Sequence, residues 1–301
     1  MKNMNKYENC LLCPRKCGIN RRTGQTGVCG VSSEIKVARA ALHYWEEPCI
    51  SGKRGSGAVF FSGCSLHCVF CQNREISDGK AGKVISKERL SDIFIELAGK
   101  GANNINLVTP GQYIPDIVWA VNDAKSRGMK LPIIYNTSGY ENVTELKLLE
   151  GIVDVYLPDF KYMDSTLSAM YSRAKDYPSV AKQALSEMVR QQPDVVIDDA
   201  TRLIQKGVIV RQLLLPGHVN DAKAVLKYLY DTYHDHVYIS MMSQFTPIAL
   251  KDYPEINRTV TKREYERLVD YALEIGITNA FIQEGDVAKD SFIPAFDCEG
   301  V

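Results

Sequence analysis

The 301-residue chain has no surplus of either charge: 36 Lys and Arg face 36 Asp and Glu, so the formal net charge is zero. Proteins that bind nucleic acid or anionic membranes in general carry a basic excess, so neither kind of partner is expected. The chain has no apolar run approaching the roughly 20 residues of a membrane span. Its first nine residues, MKNMNKYEN, hold no apolar secretion-signal core, and a cytoplasmic location is expected. There is no low-complexity tract. A core is not lacking: 45% of residues are apolar and 24% charged, which excludes wholesale disorder.

Against these absences stand nine cysteines. Cytoplasmic thiols are kept reduced, and an odd count fits poorly with full pairing, so metal is expected rather than a disulfide framework. Cys10, Cys13, Cys17 and Cys29 form one group, and Cys64, Cys68 and Cys71 another. Cys49 and Cys298 stand alone and read as small core residues.

From about residue 57 short apolar runs alternate with helical stretches. The predicted strands are Ala58–Ser62, Ile105–Thr109, Ile133–Thr137, Val153–Pro158, Val208–Leu215 and Val237–Met241, with Phe281–Gln283 as a seventh candidate. They are too uniformly apolar to have a wet face. Lys87–Lys100, Pro115–Arg127, Glu141–Leu149, Ser179–Arg190, Asp221–Tyr233 and Thr261–Glu274 space their apolar residues as helices do. Gly128, Gly207 and Gly276 read as glycines that end helices. The pattern predicts an α/β protein, a partial (β/α)6 TIM-like barrel, over residues 51–301. Residues 1–50 read as a Cys-rich metal-binding module plus a connecting segment, Ile35–Trp45. Tyr177–Ala200, acidic and punctuated by proline, reads as an insertion. Sites in such sheets lie at the C-terminal ends of the strands.

The first strand runs into Cys64-Ser-Leu-His-Cys68-Val-Phe-Cys71. Three thiolates on one tight loop can hold three corners of a [4Fe–4S] cluster, leaving one iron open, where four Cys are usual. Zinc with three ligands is the competitor. His67, between two of the cysteines, is read as a bystander. This motif at the end of the first strand, with Phe70 before the last Cys, resembles the radical S-adenosylmethionine superfamily. It looks closest to the branch related to pyruvate formate-lyase activating enzymes. The resemblance covers about residues 55–285. It implies a cluster whose open iron chelates S-adenosylmethionine, anaerobic reductive cleavage to a 5′-deoxyadenosyl radical, and hydrogen abstraction from a substrate. It also implies a low-potential electron donor of flavodoxin or ferredoxin type.

Other strand ends supply candidate cofactor contacts. Thr109-Pro-Gly111-Gln-Tyr113 stands where the family often has Gly-Gly-Glu-Pro, and lacks its acidic residue; its backbone is assigned to the methionine amino group. Asn136 and Ser138 offer short polar side chains to ribose hydroxyls. Asp159 and Lys161 point to one side of their strand and resemble the Asp-x-Lys of the activating-enzyme branch. Arg211, inside an apolar strand, needs an anion: the methionine carboxylate, or an internal Asp or Glu. Gln244 lies on a candidate adenine edge, with Met241 or Met242 as packing against the ring. His218 faces either substrate or structure.

Cys10, Cys13, Cys17 and Cys29 can ligate either zinc or a second [4Fe–4S] cluster, with Arg15, Lys16, Arg21 and Arg22 offsetting thiolate charge. This stretch resembles the start of uncharacterised activating-enzyme homologues. Three functions stay open: an enzyme that activates a glycyl-radical enzyme, a radical enzyme acting on a peptide or small metabolite, and a non-catalytic iron–sulfur or zinc protein.

Overall fold

Each apolar run becomes a strand because a parallel sheet buries both of its faces. A computed structural model describes residues 4–248, 250–283 and 294–301. Its strands are β1 (Ile35–His43), β2 (Ser56–Phe61), β3 (Lys83–Ile85), β4 (Ile105–Val108), β5 (Ile133–Thr137), β6 (Val155–Pro158), β7 (Val196–Ile197), β8 (Ile204–Leu213), β9 (Tyr238–Met242) and β10 (Ala280–Ile282). Its α-helices are α1 (Pro48–Ser51), α2 (Arg74–Ser77), α3 (Lys87–Gly99), α4 (Ile114–Ser126), α5 (Val143–Leu146), α6 (Ser165–Ser172), α7 (Tyr177–Gln191), α8 (Val219–Tyr233) and α9 (Lys262–Glu274). The strands order as β10-β9-β8-β6-β5-β4-β2-β1-β3, with β7 beside β8. From β2 to β10 the neighbours run parallel, which makes the expected partial barrel with Phe281–Gln283 overlapping its last strand.

The helices start where the sequence caps them. Ser86 accepts the Arg89 N–H at the head of α3, and Thr261 and Glu264 form a reciprocal capping box on α9. Side chains alternate between the two faces of each strand. Val59, Leu107, Ile133, Tyr135, Val208 and Ile239 join the buried faces of α3, α4, α7 and α8 in one large core. Ile134, Val155, Leu157 and Ile209 turn the other way and meet Cys49 and Ile50 of α1.

That second cluster explains the largest departure from the sequence reading. Ile35–Trp45 is not merely a connector: it supplies β1, antiparallel to β2, with His43 opposite Ser56 at the N-terminal end of β2. The chain then drops α1 into the barrel from below, and Asn103 and Asn104 hold it through the Ser51 and Ile50 carbonyls at 2.7 and 2.8 Å. Lys36 and Arg39, both only partly buried, masked the strand. β3 pairs with its first residues, and the described C-terminal residues cover the stretch beyond. Cys298 N–H donates to the Ala38 carbonyl at 2.9 Å, and Ala40 N–H to that of Glu299 at 2.8 Å.

Two smaller readings are corrected. Tyr177–Ala200 is no insertion over most of its length, since α7 buries Ala181, Ala184, Leu185 and Met188 in the core. Gly207 ends no helix; it lies inside β8 at φ +126°, where a Cβ would stand 2.7 Å from the Val195 Cα. Cys49 is buried in the core as expected of an isolated thiol. Among the described residues no helix is long and apolar enough to cross a membrane.

Candidate cofactor and metal site

The strand ends and the interior of the barrel enclose a cavity of about 570 Å³. Cys64, Cys68, Cys71, Phe70, Thr109, Asn136, Ser138, Asp159, Lys161, Arg211 and Gln244 all line it, as the sequence places them. Gly111 does not; it lies on a second, smaller cavity beside the N-terminal cysteines. His67 turns away, its ring 2.5 Å from the Val28 carbonyl. His218 also lies outside, 3.0 Å from the Tyr171 hydroxyl. Met242 lines the cavity, whereas Met241 packs in the core.

The three-cysteine loop is tightly set. Leu66 N–H donates to Cys64 Sγ at 3.4 Å, and the Ser172 hydroxyl to Cys68 Sγ at 2.9 Å. Phe70 packs on Phe245 with ring centres 5.7 Å apart. Burial raises all three thiols above their usual range, Cys71 to about 12, while Lys161 opposes the rise at each. An anionic sulfur there therefore needs a cation to stabilise it, which is what iron provides. The thiols line the wall rather than meet at a point: among the described residues no three His, Cys, Asp or Glu side chains could hold a single metal ion as they stand. A four-iron cluster bridges sulfurs across its own width and asks for less convergence than one zinc ion with bonds of about 2.3 Å.

Below the loop is a polar layer that strand register sets up. Arg211 stands beside Ser240 on β9, and bridges across to Asp159 beyond β6. Its Nε donates to Asp159 Oδ1 at 3.1 Å, its Nη1 to Glu46 Oε2 at 3.2 Å, and its Nη2 to Asn136 Oδ1. Lys161 Nζ donates to Asp159 Oδ2 at 2.6 Å. Burial alone would raise the Asp159 pKa, but Lys161 and Arg211 outweigh it and hold the carboxyl below its usual value. Of the two anions weighed for Arg211, the structure supplies the internal one, from two carboxylates. Glu46 further accepts from Asn106 at 2.9 Å.

Sequence reasoning missed His43, which ends β1, and Glu46 and Glu47, which come from the β1–α1 connection. Two adjacent acids before a proline were the available signal, but their burial depends on β1 running antiparallel. Burial, then Arg39 and Arg211, lower the His43 pKa from 6.5 to about 4. The unfolded chain therefore takes up this proton first as pH falls, so His43 costs stability from about pH 6.5 down to about pH 4. Urea titrations should show a loss of about 1–2 kcal/mol between pH 7 and pH 5 that is smaller in His43→Phe. An equal loss in both proteins would remove His43 as its source.

Thr109 is held at φ +56°, an uncommon conformation for a β-branched residue. Its N–H bonds the Asn136 carbonyl at 2.9 Å and its own carbonyl accepts from Gln112 at 2.8 Å. Thr109, Thr137 and Ser138 form a wall with the main cavity on one side and the small cavity on the other. Cys10, Cys13, Cys17 and Cys29 all line the small one. Arg21 is fully buried against it, donating to the Val31, Ser32 and Gln112 carbonyls and lying over the Tyr7 and Tyr113 rings. The module sits directly on the three-cysteine loop, where Cys64 N–H donates to the Cys29 carbonyl at 3.2 Å. Gly63 permits this approach at φ +94°, since a Cβ there would stand 2.8 Å from that same oxygen.

Comparison with known proteins agrees with the loop's chemistry. Residues 51–173 match the model of a family described as a 4Fe-4S single cluster domain. An uncharacterised protein of Methanocaldococcus jannaschii is 28% identical over 275 residues, covering 89% of this chain and 75% of that protein. Streptococcus suis SuiB bound to S-adenosylmethionine is similar at 13% identity and a TM-score of 0.48, over 74% of this chain. That match spans 49% of SuiB, so the chain covers about half of its length. A domain of pyruvate-formate lyase-activating enzyme from Bacteroides vulgatus is similar at 13% identity and a TM-score of 0.37, over 66% of this chain and 91% of that domain. The segment that matches a 4Fe-4S single cluster domain is thus the one that contains the three-cysteine loop.

Proposed function

We propose that this chain is a radical S-adenosylmethionine enzyme whose cluster is held by Cys64, Cys68 and Cys71. The observation that carries the reading is one cavity lined both by these thiols and by a layer of paired charges beneath them. When bound, the cluster would supply the electron that cleaves S-adenosylmethionine, giving methionine and the 5′-deoxyadenosyl radical.

The chain's own residues bind, orient and exclude water. Lys161 lies beside Cys68, and its ammonium offsets thiolate charge. Phe70 and Phe245 close one wall against solvent. Thr109, Asn136, Ser138 and Asp159 are the groups for the cofactor's amino and ribose donors, and Gln244 for its adenine edge. Arg211 acts through Asp159 and Asn136, fixing both by its fork. The four N-terminal cysteines are the ligands of a second centre, zinc or [4Fe–4S].

The test is anaerobic. The protein is reconstituted with iron and sulfide, and given dithionite and S-adenosylmethionine. Formation of 5′-deoxyadenosine is expected; an intact cluster that yields none, with or without added candidate substrates, favours a non-catalytic iron–sulfur protein. Adding a glycyl-radical enzyme, a peptide or an amine metabolite separates the substrate readings, and a flavodoxin or ferredoxin in place of dithionite tests the donor. Metal analysis of a Cys64/Cys68/Cys71 triple alanine variant reads the second centre alone.

A further inference from the structure

The floor of the cavity holds a carboxylate that the proposed chemistry does not use. Glu47 lines the cavity, is 8% exposed, and its Oε2 has no hydrogen-bond partner among the described residues. A buried polar atom without a partner is costly, and a carboxylate oxygen more so than a neutral one. A hydrogen bond with Ser240 relieves the carboxyl in part, but it leaves Oε2 without a partner. Asp159 is paired with Lys161 and Arg211, and Glu46 with Arg211. Two cations thus serve two other carboxylates, and Glu47 is the third. Burial raises its pKa, Arg211 pulls it down, and Glu46 adds to the rise.

Position makes this a ligand site rather than a packing defect. β1 returns the chain to the N-terminal ends of the strands, and α1 seals the interior with Cys49 and Ile50. Glu47 precedes that seal, so its carboxylate lies at the end of the cavity remote from the strand C-termini that carry the cysteines. Phe60 and Ser240 line the cavity with it. A molecule entering past the cysteine loop meets the layer of paired charges first and this acid last.

We propose that the Glu47 end of the cavity is a substrate subsite for a protonated primary amine, so that the substrate is amine-bearing and presents the rest of itself toward the cysteine loop. An ammonium supplies a paired positive charge and the donor that Glu47 Oε2 lacks, and an anionic ligand would meet Glu46 and Glu47 together. The inference rests on the proposed function for what the subsite is used for, but not for whether the subsite exists.

The test compares n-butylammonium, n-butanol and n-butyrate, probes of one length and three charges, by calorimetric titration of the full-length protein without S-adenosylmethionine. n-Butylammonium should bind at least about tenfold more tightly than either other probe. In Glu47→Gln that preference should vanish. Equal binding of the three probes to the wild type, a preference for n-butyrate, or a preference that survives Glu47→Gln would each overturn the subsite. The first two results need no variant, so a Glu47→Gln protein that fails to fold does not shelter the proposal. Absence of 5′-deoxyadenosine in the cleavage assay would instead overturn the enzyme reading and leave the titration standing.

Discussion

Changing any one of Cys64, Cys68 or Cys71 to alanine is expected to reduce 5′-deoxyadenosine formation to background. The reason is geometric as much as chemical. The three thiols occupy one loop between β2 and α2, and their surroundings make each reluctant to ionise unless iron is there to take the charge. Two remaining thiolates would leave the cluster anchored at two corners. The expected signature is loss of the charge-transfer absorbance of the reconstituted cluster together with loss of product. One control sharpens the result. Cys49→Ala, in the floor of the barrel, should keep both signals. Wild-type levels of product from any of the three loop variants would end the cluster assignment.

Arg211→Ala is expected to destabilise the protein by about 3 kcal/mol. The arginine is the hub of the polar layer, holding Glu46, Asp159 and Asn136 at once. Removing it leaves Glu46 beside Glu47 with no cation and leaves Asp159 with Lys161 alone. The figure is at the low end for a buried ion pair because the layer faces an open cavity. The urea midpoint should fall while the slope of the transition is kept. A shift equivalent to less than about 1 kcal/mol would mean that water replaces the guanidinium at little cost. The variant should also bind S-adenosylmethionine poorly, because Asp159 and Asn136 lose the fork that orients them.

The parallel strands were legible because burial on both faces leaves a plain signature. Ile133, Ile134 and Tyr135 all go inside, on opposite sides of the sheet, and no polar residue breaks the run. The cysteine loop was legible for a related reason, since its three cysteines lie within eight residues and need no tertiary pairing to be recognised. Arg211 could be singled out as costly, but its partner could not be named. Glu46 is 165 positions away, and what joins them is a strand reversal at the sheet edge. β1 itself was obscured by Lys36 and Arg39, which stay partly exposed on it, and with it went Glu46, Glu47 and the plug of the barrel. Gly111 shows the same limit in miniature: its sequence position was sound, but the turn that follows β4 carries it to the other side of the wall made by Thr109.

The backbone hydrogen bond from Cys64 to Cys29 has a consequence for the order in which the protein matures. Coupling between two sites is reciprocal: whatever orders the N-terminal module must order the three-cysteine loop by the same free energy, and the reverse. Gly63 removes the side chain that would hold the two apart, so there is little slack in which one could change unnoticed by the other. If both groups of cysteines hold the centres proposed for them, their filling would be a linked event rather than two separate ones. Whichever site filled first would then leave the second better formed than it was, and whichever was stripped first would loosen the grip of the one that remained.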